Sequence, residues 1–359
     1  MGGCTRRAAH LDRHTHAVPE SSDHLVPLDE FPAARERLVG RVARTPLLTS
    51  STAARWIEAA TGTRLGDSTL YLKAEHLQKT GSFKARGMTN RLATLPVEAR
   101  ARGAITLSAG NAGQAYAFAG RAEGVGVTVV MPAAAVATKV AACHGYGARV
   151  VLHGANIAEA FAEMYRIRDD EGLMYVPPFD DPMVIAGNGT VGSEILEDLP
   201  DVDVVVVGIG GGGLISGAAA AIREARPSAR VYGVEPETSN AVSLAVAAGE
   251  VVMIEPRSVA DGLGAPFAGA WTLAMVQHYL EDIVLIDDAT ILAGVRFAVE
   301  RLKQVIEPAG AAALASVLAG RVPIREGERV AVVLSGGNVA VDRLGELLAA
   351  AGTLPGEKL

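Results

Sequence analysis

Short apolar runs alternate with longer segments of helical length along most of the chain. From about residue 70 onward, these runs are bounded by glycine or charged residues and are rich in valine, isoleucine and leucine. A strand that is buried on both faces needs apolar side chains on both, so the runs predict buried β-strands. The predicted strands are Leu70–Lys73, Ala104–Leu107, Val127–Met131, Ala148–Leu152, Asp203–Val207, Arg230–Val234 and Arg329–Leu334.

Alanine-rich segments of helical length, such as 113–123 and 155–168, separate several of these strands. The alternation of strand and helix is typical of an α/β protein whose parallel or mostly parallel sheets are flanked by helices. No internal repeat of about 20–50 residues is visible. We therefore expect two sheets that share one cleft.

Composition limits the possible partners. The chain has 359 residues, 49% of them hydrophobic, and a formal net charge of −7, which predicts a globular protein with a sizeable core in two domains. There is no basic stripe for nucleic acid and no apolar run near the ~20 residues of a membrane span. The two cysteines, Cys4 and Cys143, cannot form a disulfide framework, so we expect a reducing, cytoplasmic location.

The first 25 residues differ from the rest. They contain His10, His14, His16 and His24 among charged and small polar residues, without the apolar region of a signal peptide. This composition predicts a flexible N-terminal tail over 1–25. Metal binding by the histidines is the alternative interpretation.

A run of four glycines, Gly210 to Gly213, follows the predicted strand 203–207. Successive glycines allow backbone N–H groups to converge on one phosphate, and the following helix adds its positive end. The segment also fits the dinucleotide motif G-x-G-x-x-G, with Glu235 at the position of a ribose-binding acid. Four contiguous glycines favour a terminal phosphate over an NAD site or a tight turn without a ligand.

Lys84 lies in the segment Gln78–Gly87, which reads QKTGSFKARG. A lysine amine can form a Schiff base with an aldehyde cofactor, whereas taken alone it could be a surface lysine in a turn. Together with the glycine run, it fits pyridoxal 5′-phosphate, which needs both an amine and a phosphate site.

The segment Gln78–Gly87 closely resembles the cofactor-lysine motif of the threonine dehydratase and serine racemase family. The resemblance implies a two-domain, tryptophan-synthase β-like fold (fold type II of pyridoxal-phosphate enzymes). Further motifs resemble the family in its order along the chain, at 44–47, 108–111, 178–181, 187–190, 210–217, 307–311 and 335–338. We expect a large cofactor-binding domain formed by 26–102 and 179–359, and a small domain formed by 103–178.

The resemblance also implies roles for individual residues. The expected cofactor contacts are Phe83 on the ring, Lys84 on the aldehyde carbon, Asn111 on the phenolic oxygen, Gly210, Gly211, Gly212 and Gly213 on the phosphate, and Ser335 on the pyridine nitrogen. The expected substrate contacts are Ser82, Ser108, Ala109 and Gly110. A neutral hydroxyl at the pyridine nitrogen makes the ring a weaker electron sink, which favours elimination of a β-substituent.

The implied reaction is conversion of a 3-hydroxy amino acid, such as L-threonine or L-serine, to a 2-oxo acid and ammonia. Ala109 stands where related racemases have a serine that acts as a second base, so racemisation lacks one of its bases. Ala112 and Asn188 replace a usual histidine and glutamine, which favours a non-standard substrate. A racemase, a dehydratase of a bulkier or acidic substrate, a β-replacement enzyme and an amino-acid sensor stay open as alternatives.

Two further expectations come from the family. The resemblance implies a homodimer, and it implies a cation beside Glu235, whose oxygen ligands would suit Mg²⁺. An acidic strand end without an ion is the alternative for Glu235.

Overall fold

The computed structural model describes residues 24–358, which fold around two β-sheets. The strands are β1 (Leu47–Ser50), β2 (Leu70–Lys73), β3 (Ala104–Leu107), β4 (Val127–Met131), β5 (Arg149–Leu152), β6 (Met174–Tyr175), β7 (Val204–Gly208), β8 (Arg230–Pro236), β9 (Asp282–Ile286) and β10 (Val330–Val333). One sheet has six strands in the order β1-β2-β10-β7-β8-β9, and the other has four in the order β5-β4-β3-β6. The four-stranded sheet is thus built from a continuous stretch of chain that separates β2 from β7.

Helices connect most of the strands. They are α1 (Glu30–Leu38), α2 (Ser51–Thr61), α3 (Lys84–Ala93), α4 (Val97–Arg102), α5 (Asn111–Glu123), α6 (Ala137–Gly145), α7 (Ile157–Glu171), α8 (Pro182–Asp198), α9 (Gly213–Ala225), α10 (Ala241–Ala248), α11 (Ala270–Tyr279), α12 (Asp288–Phe297), α13 (Pro308–Leu318) and α14 (Val341–Ala350). Strand pairs in the described residues are parallel except for β1 and β2, which are antiparallel. The predicted α/β class with mostly parallel sheets is therefore confirmed.

The centre of the six-stranded sheet explains why its strands are continuous apolar runs. Along β7, Val204 and Val206 face one buried cluster, whereas Val205 and Val207 face a second cluster on the opposite side. All four valines are fully buried. Because side chains alternate between the faces of a strand, a sheet covered on both faces needs an apolar residue at every position.

The observed bounds follow the predicted ones closely. Strands predicted at 70–73, 104–107 and 127–131 have those bounds, and the other four predicted strands differ by one or two residues. The helix predicted over 155–168 begins at Ile157, because the side chain of Asn156 caps it by accepting from the Glu159 N–H. It ends before Gly172, which adopts a left-handed conformation with a φ of 64°.

The N-terminal prediction falls largely outside the described residues, which exclude His10, His14 and His16. The ring of His24 is described and lies edge-on to Trp271, with 4.9 Å between ring centroids. Within the described part of the chain, no helix is both long and apolar enough to cross a membrane.

Candidate active site

Lys84 is the first residue of α3 and follows a tightly turned loop. Thr80 and Gly81 both have left-handed backbones, with φ values of 65° and 72°. The loop is fixed to the segment after β10, since Phe83 N–H donates to Ser335 O at 3.1 Å and Gly337 N–H donates to Gly81 O at 2.9 Å. The predicted cofactor residues Phe83, Lys84 and Ser335 are thus brought together by main-chain hydrogen bonds.

The amine of Lys84 points into the molecule. Its Nζ donates to Pro178 O at 2.7 Å, and the residue is only partly exposed. Burial disfavours the ammonium form and lowers the pKa of Lys84 to about 8. A substantial fraction of the amine is therefore neutral near neutral pH, which is the form that can attack a carbonyl carbon or accept a proton.

The glycine run connects β7 to α9. Gly212 has a φ of 88°, and α9 begins at Gly213. Among the described residues, the N–H groups of Gly210, Gly211, Gly212 and Gly213 donate to no protein acceptor. Four consecutive free donors at a helix N-terminus form the arrangement that binds a phosphate dianion.

The segment 178–181 joins the lysine to the glycine run. Pro178 accepts from Lys84, and the ring of Phe179 lies directly against Gly211. Asp180 is largely buried and accepts from Thr272 N–H at 3.0 Å at the start of α11, and its burial raises the pKa of its carboxyl. One short segment therefore sets the distance between the amine and the phosphate-binding turn.

Asp181, the last residue of this segment, caps α8 by accepting from Met183 N–H at 2.8 Å. It also forms an ion pair with Arg91 of α3 at 2.7 Å. The segment is therefore fixed at one end to the helix that carries Lys84.

Asn188 links the two halves of the site from below. Its Oδ1 accepts from Gly87 N–H in α3 at 3.2 Å, and its Nδ2 donates to Gly213 O at 3.1 Å. The side chain is fully buried. The sequence singled out Asn188 as unusual, and the structure shows that it bridges the lysine helix and the phosphate-binding turn. Ala112, the other unusual residue, packs in the apolar cluster around Ala115 of α5.

The loop 108–111 follows β3 and leads into α5. The hydroxyl of Ser108 accepts from Gly110 N–H at 3.2 Å, and α5 begins at Asn111. In the described chain, the N–H groups of Ala109, Asn111 and Ser82 donate to no protein acceptor. These free donors at a helix N-terminus can bind a carboxylate, as expected for a substrate site.

Asn111 is held on both sides of its side-chain amide. Its Nδ2 donates to Glu307 Oε1 at 2.6 Å, and its Oδ1 accepts from Asn338 Nδ2 at 2.9 Å. Glu307 is 4% exposed, and burial raises its pKa to about 7. The sequence motifs include Glu307 and Asn338 but predict no contact of either with Asn111, from which Glu307 is separated by 196 residues.

A buried ionic network lies behind Lys84. Arg86, on the next turn of α3, donates to Glu75 Oε2 at 2.8 Å and to Glu194 Oε1 at 2.7 Å. Lys73 of β2 donates to Glu194 Oε2 at 2.6 Å, and Thr45 donates to Glu75. The charges of Arg86 and Lys73 hold the pKa of the Glu75 carboxyl below its usual value despite its burial. The network anchors α3 to β2 and α8.

These residues fit pyridoxal phosphate. The chain places one desolvated amine and four free N–H donors on either side of Phe179. The buried hydroxyl of Ser82 has no hydrogen-bond partner, and the Ser335 hydroxyl makes only a long contact of 3.4 Å with Ala309 O. Both hydroxyls are available to a ligand. The ring of Phe83 lies beside the amine, with 5.1 Å from the Lys84 Nζ to the ring centroid.

Glu235 has protein partners of its own. Its carboxylate accepts from Val242 N–H at 2.9 Å and from Ser243 N–H at 2.8 Å, near the start of α10. The described residues contain no group of three His, Cys, Asp or Glu side chains that could hold a metal ion. Glu235 therefore acts as a helix cap in this structure.

The family is shown by comparison with known proteins. Residues 40–336 match the model of the pyridoxal-phosphate-dependent enzyme family, and the chain belongs to this family. The predicted cofactor class is thus confirmed, and the NAD interpretation of the glycine run is wrong.

Individual relatives agree with this assignment. The chain is 39% identical to the L-threonine ammonia-lyase of Thermotoga maritima over 90% of its own length and 78% of the relative. It is similar to a solved maize serine racemase, with a TM-score of 0.83, 32% identity and coverage of 90% and 97% of the two chains. A solved threonine deaminase from the organism abbreviated T.th. gives a TM-score of 0.78, 36% identity and coverage of 87% and 98%. The predicted fold type and family resemblance are therefore confirmed.

Proposed function

We propose that this enzyme is an ammonia-lyase that converts a 3-hydroxy amino acid, such as L-threonine or L-serine, to a 2-oxo acid and ammonia. The observation that carries the proposal is the partly buried amine of Lys84, with its pKa of about 8, held beside the free donors of Gly210–Gly213. The relatives named threonine ammonia-lyase and threonine deaminase support this reaction.

Pyridoxal phosphate, when bound, supplies an aldehyde that bonds amines and a ring that withdraws electrons from the substrate Cα. Lys84 acts as the base, because its neutral Nζ can accept the Cα proton. The free N–H groups of Ser82, Ala109 and Asn111 hold the substrate carboxylate and so orient the Cα–H bond. The β-hydroxyl leaves with a proton as water, and a second water replaces the amino nitrogen to give the 2-oxo acid and ammonia.

The remaining residues position the cofactor. In this proposal the N–H groups of Gly210 to Gly213 hold the phosphate, Phe83 packs beside the ring, and Asn111 and Ser335 donate to the phenolic oxygen and the pyridine nitrogen. Ser335 is a neutral donor, so the ring nitrogen is not held protonated as it would be by a carboxylate. This favours elimination over a long-lived carbanion.

Visible absorbance tests the cofactor site. We expect the purified protein to be yellow and borohydride to bleach the colour, while Lys84→Ala is colourless and inactive. Lys79→Ala is the matched control, because Lys79 lies on the same loop but is exposed. A Lys84→Ala protein that turns over substrate at the wild-type rate would contradict the proposal.

A substrate panel separates dehydratase from racemase. Wild-type protein is incubated with L-threonine, L-serine and an acidic 3-hydroxy amino acid, and both 2-oxo acid formation and the chirality of the remaining substrate are measured. We expect 2-oxo acid with retained chirality, because Ala109 has no proton to transfer at the second face. Loss of optical purity without 2-oxo acid would instead support a racemase.

We also propose the division into a cofactor-binding domain (26–102 and 179–359) and a small domain (103–178), since the four-stranded sheet lies wholly within the latter range. A homodimer and a cytoplasmic location stay predictions, and light scattering tests the dimer. The cation beside Glu235 also stays a prediction, and activity with EDTA and then with added Mg²⁺ tests it.

A further inference from the structure

Glu307 has an unusual orientation for a residue at the start of a helix. It occupies the N-cap position of α13, but its side chain makes no capping hydrogen bond. Its carboxylate instead lies against Gly336, where a Cβ would collide with Oε1, and accepts from Asn111. A nearly fully buried carboxylate is thus directed into the proposed cofactor site rather than onto its own helix.

The amide of Asn111 can take only one orientation in this network. Asn338 Nδ2 donates to Thr80 O at 2.7 Å and to Asn111 Oδ1 at 2.9 Å, so the amide oxygen of Asn111 faces Asn338. The amide nitrogen then faces Glu307. Because the nitrogen carries two hydrogens, one N–H remains for a ligand.

We propose that Glu307 is a positioning residue that directs the second N–H of Asn111 toward the phenolic oxygen of the cofactor and takes up a proton when the cofactor binds. The inference rests on the proposed role of Asn111 in cofactor binding. It assigns to Glu307 a function that Asn111 alone cannot perform, because an amide without Glu307 could rotate its donor away.

The charges around Glu307 explain the proton uptake. Burial raises the pKa of Glu307 to about 7, the nearby Asp261 acts in the same direction, and Lys139 opposes this effect. Asp261 and Lys139 form an ion pair at 2.7 Å, which offsets most of their separate influence. An anionic oxygen at the second N–H of Asn111 would place a negative charge on the other side of one amide group. The ionised form of Glu307 then becomes less favourable, and the carboxyl binds a proton.

Binding of pyridoxine 5′-phosphate tests this linkage. This analogue lacks the aldehyde, so it cannot bond to Lys84. Its affinity and the protons taken up on binding are measured by calorimetry in two buffers, from about pH 6 to about pH 9, for wild type and Glu307→Gln. Glutamine can accept the same hydrogen bond from Asn111 but cannot ionise.

Wild-type affinity relative to Glu307→Gln should fall by up to about tenfold per pH unit above pH ~7, the limiting slope for one linked proton. Wild type should also take up more protons than the variant. Parallel affinity curves with equal proton uptake would overturn the proposal. Asp261→Asn is the control and should retain the uptake, because Asp261 is 64% exposed in its side chain and does not contact Asn111.

Two outcomes are kept apart by further measurements. If Glu307→Gln does not fold, wild type alone decides, since absence of proton uptake above pH ~7 contradicts the linkage. A wild-type protein that binds no pyridoxal phosphate would contradict the proposed function. A yellow wild-type protein whose analogue binding matches Glu307→Gln at every pH would contradict only the inference about Glu307.

Discussion

The ring of Phe179 lies directly against the backbone of Gly211. A Cβ placed at Gly211 would lie 2.5 Å from both Cδ1 and Cδ2 of that ring, and its three nearest atoms all belong to Phe179. Gly213 is also limited by Phe179, whose carbonyl oxygen would lie 2.8 Å from an added Cβ. Glycine is therefore required at these positions by packing within the protein as well as by any phosphate.

Gly211→Ala should destabilise the protein and weaken cofactor binding. The added methyl group forces the Phe179 ring or the turn to move, and overpacking of this kind costs about 1–3 kcal/mol. The free energy of unfolding is measured by urea denaturation, with and without Phe179→Ala. In the Phe179→Ala background the cost of Gly211→Ala should fall below about 1 kcal/mol, because the clashing ring is gone.

Gly345→Ala in α14 is the matched control for this exchange. Nothing lies within 4 Å of an added Cβ at Gly345, so alanine should stabilise the helix by about 0.5–1 kcal/mol. Equal effects of Gly211→Ala in both backgrounds would show that Phe179 is not the cause.

Asn188→Ala should lower both stability and cofactor affinity. The exchange leaves Gly87 N–H and Gly213 O without their partner, and each unpaired buried group costs about 1–3 kcal/mol. The measurements are urea denaturation and titration of the apoprotein with pyridoxal phosphate. Asn240→Ala is the control, because Asn240 makes no side-chain capping bond at α10. A variant that loses stability but keeps full cofactor affinity would show that Asn188 does not position the phosphate-binding turn.

The sequence predicted the central strands well and the edge strands poorly. Strand β4 is buried at every position, so its apolar run is continuous. Strands β1 and β9 are edge strands with exposed or half-buried residues at most positions, and β6 is only two residues long. Their sequences therefore lack the apolar run on which the prediction depended.

The chemistry of the site was predictable where it is local in sequence, and the contacts between distant segments were not. The environment of Lys84 and the free donors of the glycine run follow from short motifs. The bonds of Asn188 join residues 101 and 25 positions apart, and the bond between Asn111 and Glu307 depends on how two separate segments meet. Such contacts are set by tertiary packing, for which one sequence carries no local signal.

Arg86→Met should cost about 3–5 kcal/mol of stability, because it leaves the buried carboxylates of Glu75 and Glu194 without their principal partner. The free energy of unfolding measures this. Arg166→Met is the control, since the ion pairs of Arg166 are exposed and worth at most about 1 kcal/mol. Similar losses for the two variants would mean that the buried network does not stabilise α3.

Lys84→Met should change the pH dependence of stability in the apoprotein. In the folded wild type the pKa of Lys84 is lowered to about 8 from its ordinary value of 10.5, so between these values the unfolded chain binds more protons. Wild-type stability should therefore rise with pH from about 8 to about 10.5 by roughly 2–3 kcal/mol relative to Lys84→Met, allowing for its partial exposure. Below pH ~8 both wild-type states are protonated and the full penalty of burying the charge remains. Urea denaturation across this range measures the difference, and the exposed Lys79→Met should show no such rise. A constant difference between wild type and Lys84→Met would show that the ammonium of Lys84 is not desolvated in the folded protein.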